Sequence, residues 1–444
     1  MNIFKLLAGL LFLSGILLFP GTGFAQITSD ANVVVPTEYS SGAQDDIHVF
    51  CGLKGEQKAV LTASAVNGES ATFEWLKYNA QSGIFAFVSN DLSGTSTSSI
   101  SNLEDGCYRV KVTSASGVNT YTSWVFNNYY EVTAAIPQSD CDYFTLQGEF
   151  ETPTFTYTDL TTGLAKELNK EIQVKWKVGG VDFSIVTPTQ VFNPPTKNTD
   201  YTFEVSDRFE CVADAEVTYT SIVTKASFDY AIEYYGPDGK RSDIEKEEAP
   251  LTVNFTNTSE NADVDQYEWF IFKDRQKIKD EIAAGTFKDS IMDILYNESP
   301  VYTFEAVGTY MVKLVSKKIT QISACTDTFY MPDYIKIDTS FIEAPNVFTP
   351  NGDGTNDNFA IKFFSMKSVK VTIFNRWGKV VHVWESNNVR GFIGTAESVP
   401  ESVWNGKIGG RYASPGVYYY VVEGIGRDDR RQKESGFFHL FRDK

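Results

Sequence analysis

The side chains best suited to chemistry in this 444-residue chain lie in one short polar loop. Residues 346–359 read NVFTPNGDGTNDNF. Asn351, Asp353 and Asp357 offer the hard oxygen donors that Ca²⁺ prefers, although their spacing is not that of a helix–loop–helix calcium site. Side chains of this type also cap backbone N–H groups in tight turns. The sequence therefore predicts an ordered loop and leaves two roles open, a calcium site or a set of capping hydrogen bonds.

No other pattern predicts a catalytic or metal centre. The three histidines, His48, His382 and His439, are far apart and alternate with apolar neighbours, as in strands. The chain has no G-x-S-x-G, H-E-x-x-H or phosphate-loop motif. No pair of carboxylates stands out as the acid and base of a glycosidase. We therefore expect no enzyme and no cofactor apart from the calcium ion considered above, with a glycosidase-like enzyme as the weakest alternative.

The polar loop needs strands to hold it. Pro350 keeps Thr349 extended, which ends the preceding strand. Residues 376–378, Arg-Trp-Gly, separate two apolar runs as a turn would. Aromatic residues make up 14% of the chain, with 33 Phe and 23 Tyr, and this enrichment favours half-buried pleated surfaces. The fold class predicted from the sequence is all-β.

An ordered series of motifs between Asn346 and Arg442 resembles the gliding motility-associated C-terminal family, the type B sorting domain of the type IX secretion system. A longer loop than the family usually has separates Trp384 from Trp404. The predicted sorting motif consists of Pro350, Asn351, Gly352, Asp353, Gly354, Asn356, Asp357, Phe374, Asn375, Arg376, Trp377, Gly378, Trp404, Gly406, Gly416 and Tyr418.

This resemblance implies a β-sandwich that the type IX machinery recognises as a folded surface after Sec export. We expect four of its aromatic residues to lie in the core, with recognition by the export machinery as the alternative; they are Phe374, Trp377, Tyr418 and Tyr420. A basic cluster is expected to be a solvated hairpin tip, or alternatively a contact with the export machinery or lipopolysaccharide; it contains Arg427, Arg430, Arg431 and Lys433.

The first 25 residues have the pattern of a secretory signal peptide. Lys5 precedes an apolar run, Leu6–Phe19, and small residues near Ala25 offer a cleavage site. No later stretch approaches the ~20 apolar residues of a membrane span. We therefore expect a secreted or outer-surface protein with no transmembrane span after cleavage near Ala25.

The charge of the chain is uneven. The formal net charge is −18, of which residues 341–444 contribute +3 and the rest −21. An acidic body disfavours nucleic acid and anionic membrane surfaces as partners. The expected partners are the type IX machinery and, on the passenger side, surface polysaccharide or other cell-surface proteins.

Strand patterns predict three sandwiches before the sorting domain at residues 341–444. Residues 26–136, with Trp75 between two cysteines, and residues 137–225 are expected to be immunoglobulin-like. Residues 226–340 resemble a polycystic-kidney-disease (PKD) repeat. A helical insertion is expected over residues 273–295, where Ile278 and Ile282 share a helix face. The units do not match one another closely enough to predict a true repeat.

Export into an oxidising compartment makes disulfides plausible for the five cysteines. Domain membership favours Cys51 with Cys107 and Cys141 with Cys211, leaving Cys325 alone. Four cysteines allow three pairings, and membership is the only reason for this choice. The alternative is that the cysteines are buried free thiols.

Two functions fit the expected passenger. Tandem acidic sandwiches without a catalytic motif favour an adhesin or a surface-structure component. The second candidate is a carbohydrate-binding accessory module, whose signature would be exposed Trp and Tyr side chains on one face.

Overall fold

The computed structural model describes residues 27–232, 248–321, 323–387, 389 and 401–442. They fold into β-strands with one nine-residue α-helix among them, so the all-β prediction is confirmed. No helix in the described part of the chain has the length and apolar character of a membrane span. The predicted signal peptide, residues 1–25, lies outside the described residues.

The chain separates into two compact units. The first contains residues up to 139 together with 144–191 and 199–219, and the second contains 140–143, 192–198 and the residues from 220 onward. Four sandwich-like groups of strands can be followed along the chain, and each is described below in its own right.

The first group has a six-stranded sheet, in the order β2-β3-β9-β8-β5-β6, and a three-stranded sheet, β1-β4-β7. Its strands are β1 (Ile27–Thr28), β2 (Val33–Pro36), β3 (Asp46–Cys51), β4 (Ala59–Ser64), β5 (Ala71–Asn79), β6 (Ile84–Asp91), β7 (Thr97–Leu103), β8 (Gly106–Ser114) and β9 (Gly117–Asn128).

The second group has sheets in the orders β15-β14-β17-β18, β10-β11-β16 and β12-β13. Its strands are β10 (Glu131–Ser139), β11 (Tyr143–Glu151), β12 (Thr156–Thr158), β13 (Ala165–Glu167), β14 (Gln173–Val178), β15 (Val181–Ser184), β16 (Thr189–Phe192), β17 (Thr199–Ser206) and β18 (Val212–Tyr219).

The third group has sheets in the orders β22-β21-β25-β26, β19-β20-β23 and β24-β27. Its elements are β19 (Phe228–Ile232), β20 (Leu251–Asn257), β21 (Tyr267–Phe272), α1 (Arg275–Ala283), β22 (Ile291–Leu295), β23 (Val301–Phe304), β24 (Gly308–Tyr310), β25 (Val312–Ile319), β26 (Ala324–Tyr330) and β27 (Ile335–Ile337).

The fourth group has a five-stranded sheet, β29-β37-β36-β31-β32, and smaller sheets β28-β30-β33 and β34-β35. Its strands are β28 (Phe341–Glu343), β29 (Val347–Phe348), β30 (Phe359–Phe364), β31 (Met366–Asn375), β32 (Val380–Ser386), β33 (Glu401–Trp404), β34 (Lys407–Ile408), β35 (Arg411–Tyr412), β36 (Gly416–Gly426) and β37 (Arg431–Leu440).

A buried tryptophan lies in the core of each group. Trp75, Trp176 and Trp269 have no exposed surface, and Trp404 is 2% exposed. The strands that carry the first and third of these alternate strictly between buried and half-buried positions over most of their length, because successive side chains point to opposite faces. Each indole buries a large apolar area, which makes it a dominant contributor to its core.

Three groups share a tyrosine corner, in which a Tyr hydroxyl donates to the carbonyl four residues earlier. The pairs are Tyr108 with Glu104, Tyr310 with Ala306 and Tyr418 with Ser414, each with an oxygen–oxygen distance of 2.9 Å. A glycine at positive φ stands two residues before each Tyr: Gly106 at 146°, Gly308 at 153° and Gly416 at 147°. This G-x-Y element therefore recurs in three groups, although the groups as wholes do not resemble one another in sequence.

The predicted disulfide pairing is wrong. The structure pairs Cys51 with Cys211 and Cys141 with Cys325, each at a Cα–Cα distance of 5.4 Å. Cys107 is a buried free thiol. Cys325, expected to stand alone, is therefore bridged.

Sheet geometry explains why Cys51 cannot pair with Cys107. The two residues lie on β3 and β8 of one sheet, with β9 between them. Two inter-strand spacings come to roughly 10 Å, whereas a disulfide requires Cα atoms within ~7 Å. They are also out of step, because Cys51 pairs with Asn128 and Cys107 pairs with Trp124 along β9.

The predicted helical insertion is shorter than expected. Helix α1 covers Arg275–Ala283. Asp274 is its N-cap, and the Asp274 side chain accepts a 2.9 Å hydrogen bond from the Lys277 N–H. Ile291–Leu295 instead forms β22, which pairs with β21. The helical spacing of Ile278 and Ile282 lies within α1, whereas residues 291–295 form the edge strand beside β21.

The tyrosine corner gives a stability prediction. Tyr310 is 3% exposed, so Tyr310→Phe keeps the ring and removes the hydrogen bond to Ala306. We expect a loss of about 1 kcal/mol in the free energy of unfolding, measured by chemical denaturation. Tyr230→Phe, at a 40% exposed position on β19, is the control and should change little. Equal effects of the two substitutions would contradict the role of the corner.

Candidate functional site

Strand register brings the predicted sorting motif to one end of the five-stranded sheet. Phe348 on β29 pairs with Leu440 on β37 in parallel, and Leu440 pairs with Gly416 on β36. Asn375 on β31 pairs with Tyr418 on β36. The loop after β29, the turn after β31 and the start of β36 therefore lie at the same end. We call this the motif end.

The polar loop is an ordered network in which Asp357 caps the backbone. One carboxylate oxygen accepts the Gly352 N–H at 2.6 Å, and the other accepts the Gly354 N–H at 2.8 Å. These donors lower the pKa of Asp357, because they stabilise its charged form. The Thr349 N–H closes the loop on the Asn356 carbonyl at 2.8 Å.

The other predicted calcium ligands also serve the loop itself. The Asn351 side-chain amide donates to Asp353 Oδ2 at 2.8 Å, and Asp353 Oδ1 accepts the Thr355 N–H at 2.8 Å. Over the described ranges, no group of three or more His, Cys, Asp or Glu side chains is arranged to hold a metal ion. The geometry is that of the capping alternative, and the calcium site remains a prediction.

The Arg-Trp-Gly turn corrects one expectation. Asn375 Oδ1 accepts the N–H groups of Trp377 and Lys379, both at 3.0 Å, and Gly378 has a φ of 75°. Trp377 stands at the tip of this turn and is 79% exposed, so placing it in the core was wrong. Tyr418 and Tyr420 are buried as expected, and Phe374 is half-buried.

The Trp-Asn-Gly turn holds the polar loop in place. Trp404 packs on Phe348 with 5.6 Å between ring centroids, and its Nε1 donates to the Lys407 carbonyl at 2.9 Å. Gly406 has a φ of 74°, and a Cβ there would meet Pro350 Cγ at 2.9 Å. Only glycine satisfies both the angle and the close approach.

A groove of about 370 Å³ opens at the motif end. It is lined by residues 375–377, 408 and 411–418, so motif turns that are distant in sequence face one another across it. Arg411 and Tyr412 belong to the lining but not to the predicted motif. The Gly409-Gly410 pair before them could have indicated their exposure, because two consecutive glycines mark a hairpin tip and the residues beside a tip are exposed.

The groove surroundings are cationic and aromatic. The Arg376 guanidinium lies 5.1 Å from the Trp377 ring centroid. Lys407 and Arg442 each lie 4.8 Å from the Tyr412 ring. Among the described residues, none of these cations has an ion-pair partner. Uncompensated positive charge beside exposed aromatic rings suits an acidic ligand.

The predicted basic hairpin tip lies at the other end of the same sheet, where Arg430, Arg431 and Lys433 are exposed as expected and Arg427 is not. Arg427 forms a 2.8 Å ion pair with Glu305 of the third group, and its N–H donates to the Ser365 carbonyl at 2.7 Å. Asp428 accepts a 2.8 Å hydrogen bond from the Ser340 hydroxyl. This turn is therefore a contact within the second unit.

Comparison with known families identifies the fourth group. Residues 342–440 match the CHU_C type IX secretion signal domain. This match confirms the resemblance drawn from the motifs and implies export to the cell surface or beyond. No curated protein matches the chain.

Solved structures resemble the chain only loosely. A tetra-tandem repeat from the extending region of a large adhesion protein is 13% identical with a TM-score of 0.28, covering 87% of this chain and 96% of that one. A titin I-band fragment is 11% identical with a TM-score of 0.30, covering 68% and 96%. Sidekick-1 immunoglobulin domains 1–5 are 9% identical with a TM-score of 0.23, covering 92% and 81%.

The capping network gives a pH prediction. Because the pKa of Asp357 is lowered in the folded chain, its contribution to stability is present above its ordinary value of 3.8 and is lost as pH falls through the folded value. We expect an NMR titration of the Asp357 carboxyl to have its midpoint below 3.8. A midpoint at or above that value would contradict the capping geometry.

The hydrogen bonds within the polar loop also give a prediction about calcium binding. Because the predicted ligands bond within the loop, we expect millimolar Ca²⁺ to leave the melting temperature of the mature chain unchanged relative to Mg²⁺. A calcium-specific rise that disappears in Asp357→Ala would establish the ion and reject a purely capping role.

Proposed function

We propose that this chain is a non-enzymatic surface protein, exported by Sec and then by the type IX machinery. Its fourth group is the address and the three preceding groups are the passenger, an adhesin or a surface-structure component. The match of residues 342–440 to the secretion signal domain carries the export part of this proposal. The tandem sandwiches support a role as solvated surface modules, because residues 1–340, which contain them, carry a net charge of −21.

The address is the motif end, and its groove is the contact surface for the export machinery. Trp377 supports this, because a 79% exposed indole is unusual on a free surface, whereas Trp and Arg are enriched among the residues that dominate binding. Arg376 and Arg411 supply exposed charge beside it. The opposite end of the sheet is partly covered, because Arg427 and Asp428 contact Glu305 and Ser340, whereas the groove at the motif end is open.

The carbohydrate-binding alternative receives less support. Its signature would be exposed Trp and Tyr side chains on one face of the passenger. The four passenger tryptophans in the described residues are at most 4% exposed: Trp75, Trp124, Trp176 and Trp269. Exposed tyrosines do occur in the third group, and they are Tyr230, Tyr296, Tyr330 and Tyr334. A polysaccharide or another surface protein remains a proposed partner of the passenger, without a defined site.

Charge reversal at the groove tests the address. We expect Arg376→Glu with Arg411→Glu to lower the secreted fraction about tenfold in a bacterium with type IX secretion, which corresponds to about 1.4 kcal/mol of lost binding. The melting temperature should stay within error, because both side chains are exposed.

The matched control reverses two exposed arginines at the other end of the sheet, Arg430→Glu with Arg431→Glu. Secretion of the control should match the unsubstituted chain, and deletion of residues 341–444 should abolish it. Normal secretion of the groove variant would reject the groove as the contact, and normal secretion of the deletion would reject the export role.

A further inference from the structure

Among the described residues, no carboxylate forms an ion pair with one buried lysine of the first unit. Lys170, between β13 and β14, is 6% exposed. Its Nζ lies 2.7 Å from Asn128 Oδ1 and 2.6 Å from the Thr152 hydroxyl. Lysine is almost never this buried unless paired with a carboxylate, so its position calls for a physical reason.

A carboxylate lies on the far side of the same amide. Asp207 Oδ2 accepts a 2.6 Å hydrogen bond from Asn128 Nδ2 and a 2.7 Å hydrogen bond from the Tyr130 hydroxyl. Its Oδ1 accepts the Phe209 N–H at 2.9 Å, which fixes the carboxylate. Asn128 is 1% exposed. Amine, amide and carboxylate therefore form one continuous hydrogen-bonded chain, in which Lys170 and Asn128 are buried and Asp207 is half-buried.

The surroundings shift the Lys170 amine toward its neutral form. Lys170 Nζ lies 4.1 Å from the Phe155 ring centroid and 5.5 Å from that of Tyr130. Burial lowers the pKa of Lys170 to about 8. A lysine desolvated among aromatic rings keeps a sizeable neutral fraction near neutral pH, and a neutral amine is a nucleophile.

We propose that Lys170 and Asn128 join in an intramolecular isopeptide bond, with Asp207 as the proton-transfer group. The Nζ lone pair attacks Asn128 Cγ, and a bond forms between these two atoms. Asp207 takes the proton released by the attacking nitrogen and delivers it to Nδ2. The Cγ–Nδ2 bond then breaks, and one ammonia molecule leaves. No oxidant or other reactant is required.

The nearby disulfide holds the reacting groups together. Cys51 pairs with Asn128 across β3 and β9, and the Cys211 N–H donates to Asp207 Oδ1 at 3.2 Å. The Cys51–Cys211 bridge therefore connects the strand beside the amide to the turn that carries the carboxylate. The isopeptide bond would add a second cross-link between the end of β9 and the segment before β14, one that reductants do not cleave.

Mass spectrometry of the purified, reduced mature chain tests the proposal. We expect an intact mass about 17 Da below that of the sequence, the mass of one ammonia. A proteolytic digest should contain a branched peptide that joins the segments around Asn128 and Lys170. An unbranched pair of peptides, with Asn128 and Lys170 both unmodified, would overturn the proposal.

Variants separate this loss from other losses of ammonia, such as cyclisation of an N-terminal Gln26 or succinimide formation at an Asn. Lys170→Arg keeps the positive charge but removes the nucleophile, so its intact mass should equal that calculated from its sequence. The intact mass of Asp207→Ala should likewise show no loss of ammonia. Lys166→Arg, four residues before the nucleophile, should keep both the loss and the branched peptide. Retention of the branched peptide in Asp207→Ala would contradict the role of Asp207.

Discussion

The fourth group depends on a short parallel pairing between its first and last segments. Val347 and Phe348 lie beside His439 and Leu440, and the Phe441 N–H donates to the Phe348 carbonyl at 3.2 Å. Parallel strands cannot be joined by a tight hairpin, and here the chain of the domain between β29 and β37 makes the connection. Phe348 then packs on Phe438 and Trp404 with ring centroids within 5.6 Å. This pairing and the packing of Phe348 fix the positions of the polar loop, the Arg-Trp-Gly turn and the groove. A surface assembled in this way exists only in the folded domain.

Much of this architecture could be predicted from local patterns. Alternating apolar residues and a central tryptophan predict strands such as β21 and β14, because pleating sends successive side chains to opposite faces. The turns around Gly352, Gly378 and Gly406 follow from residues that tolerate positive φ. The G-x-Y corners are equally local, since Gly308 and Tyr310 need only each other and the carbonyl of Ala306. A search for this short motif finds a repeated element, whereas comparison of the sequences of whole domains finds none.

Properties set by contacts between distant segments could not be predicted. Cysteine pairing depends on which sheet each strand joins, and Cys107 shares a sheet with Cys51, whereas Cys211 approaches Cys51 from the second group of strands. Tryptophan is a large apolar residue that is usually buried, but Trp377 is exposed because it lies at the tip of a turn. The contact of Lys170 with Asn128 joins residues 42 positions apart, and that of Asn128 with Asp207 joins residues 79 apart. No spacing rule links such residues before the fold is known.

The central claim is that the export signal is a folded surface and not a linear peptide. The most direct measurement is the secreted fraction as a function of the folded fraction of the fourth group, in a series of core substitutions such as Phe348→Leu, Phe359→Leu and Phe438→Leu. These side chains have no exposed surface and none of them lines the groove, so the substitutions act on the groove through the folding of the domain. We expect secretion to fall in proportion to the folded fraction. Undiminished secretion of a variant that is largely unfolded would contradict it.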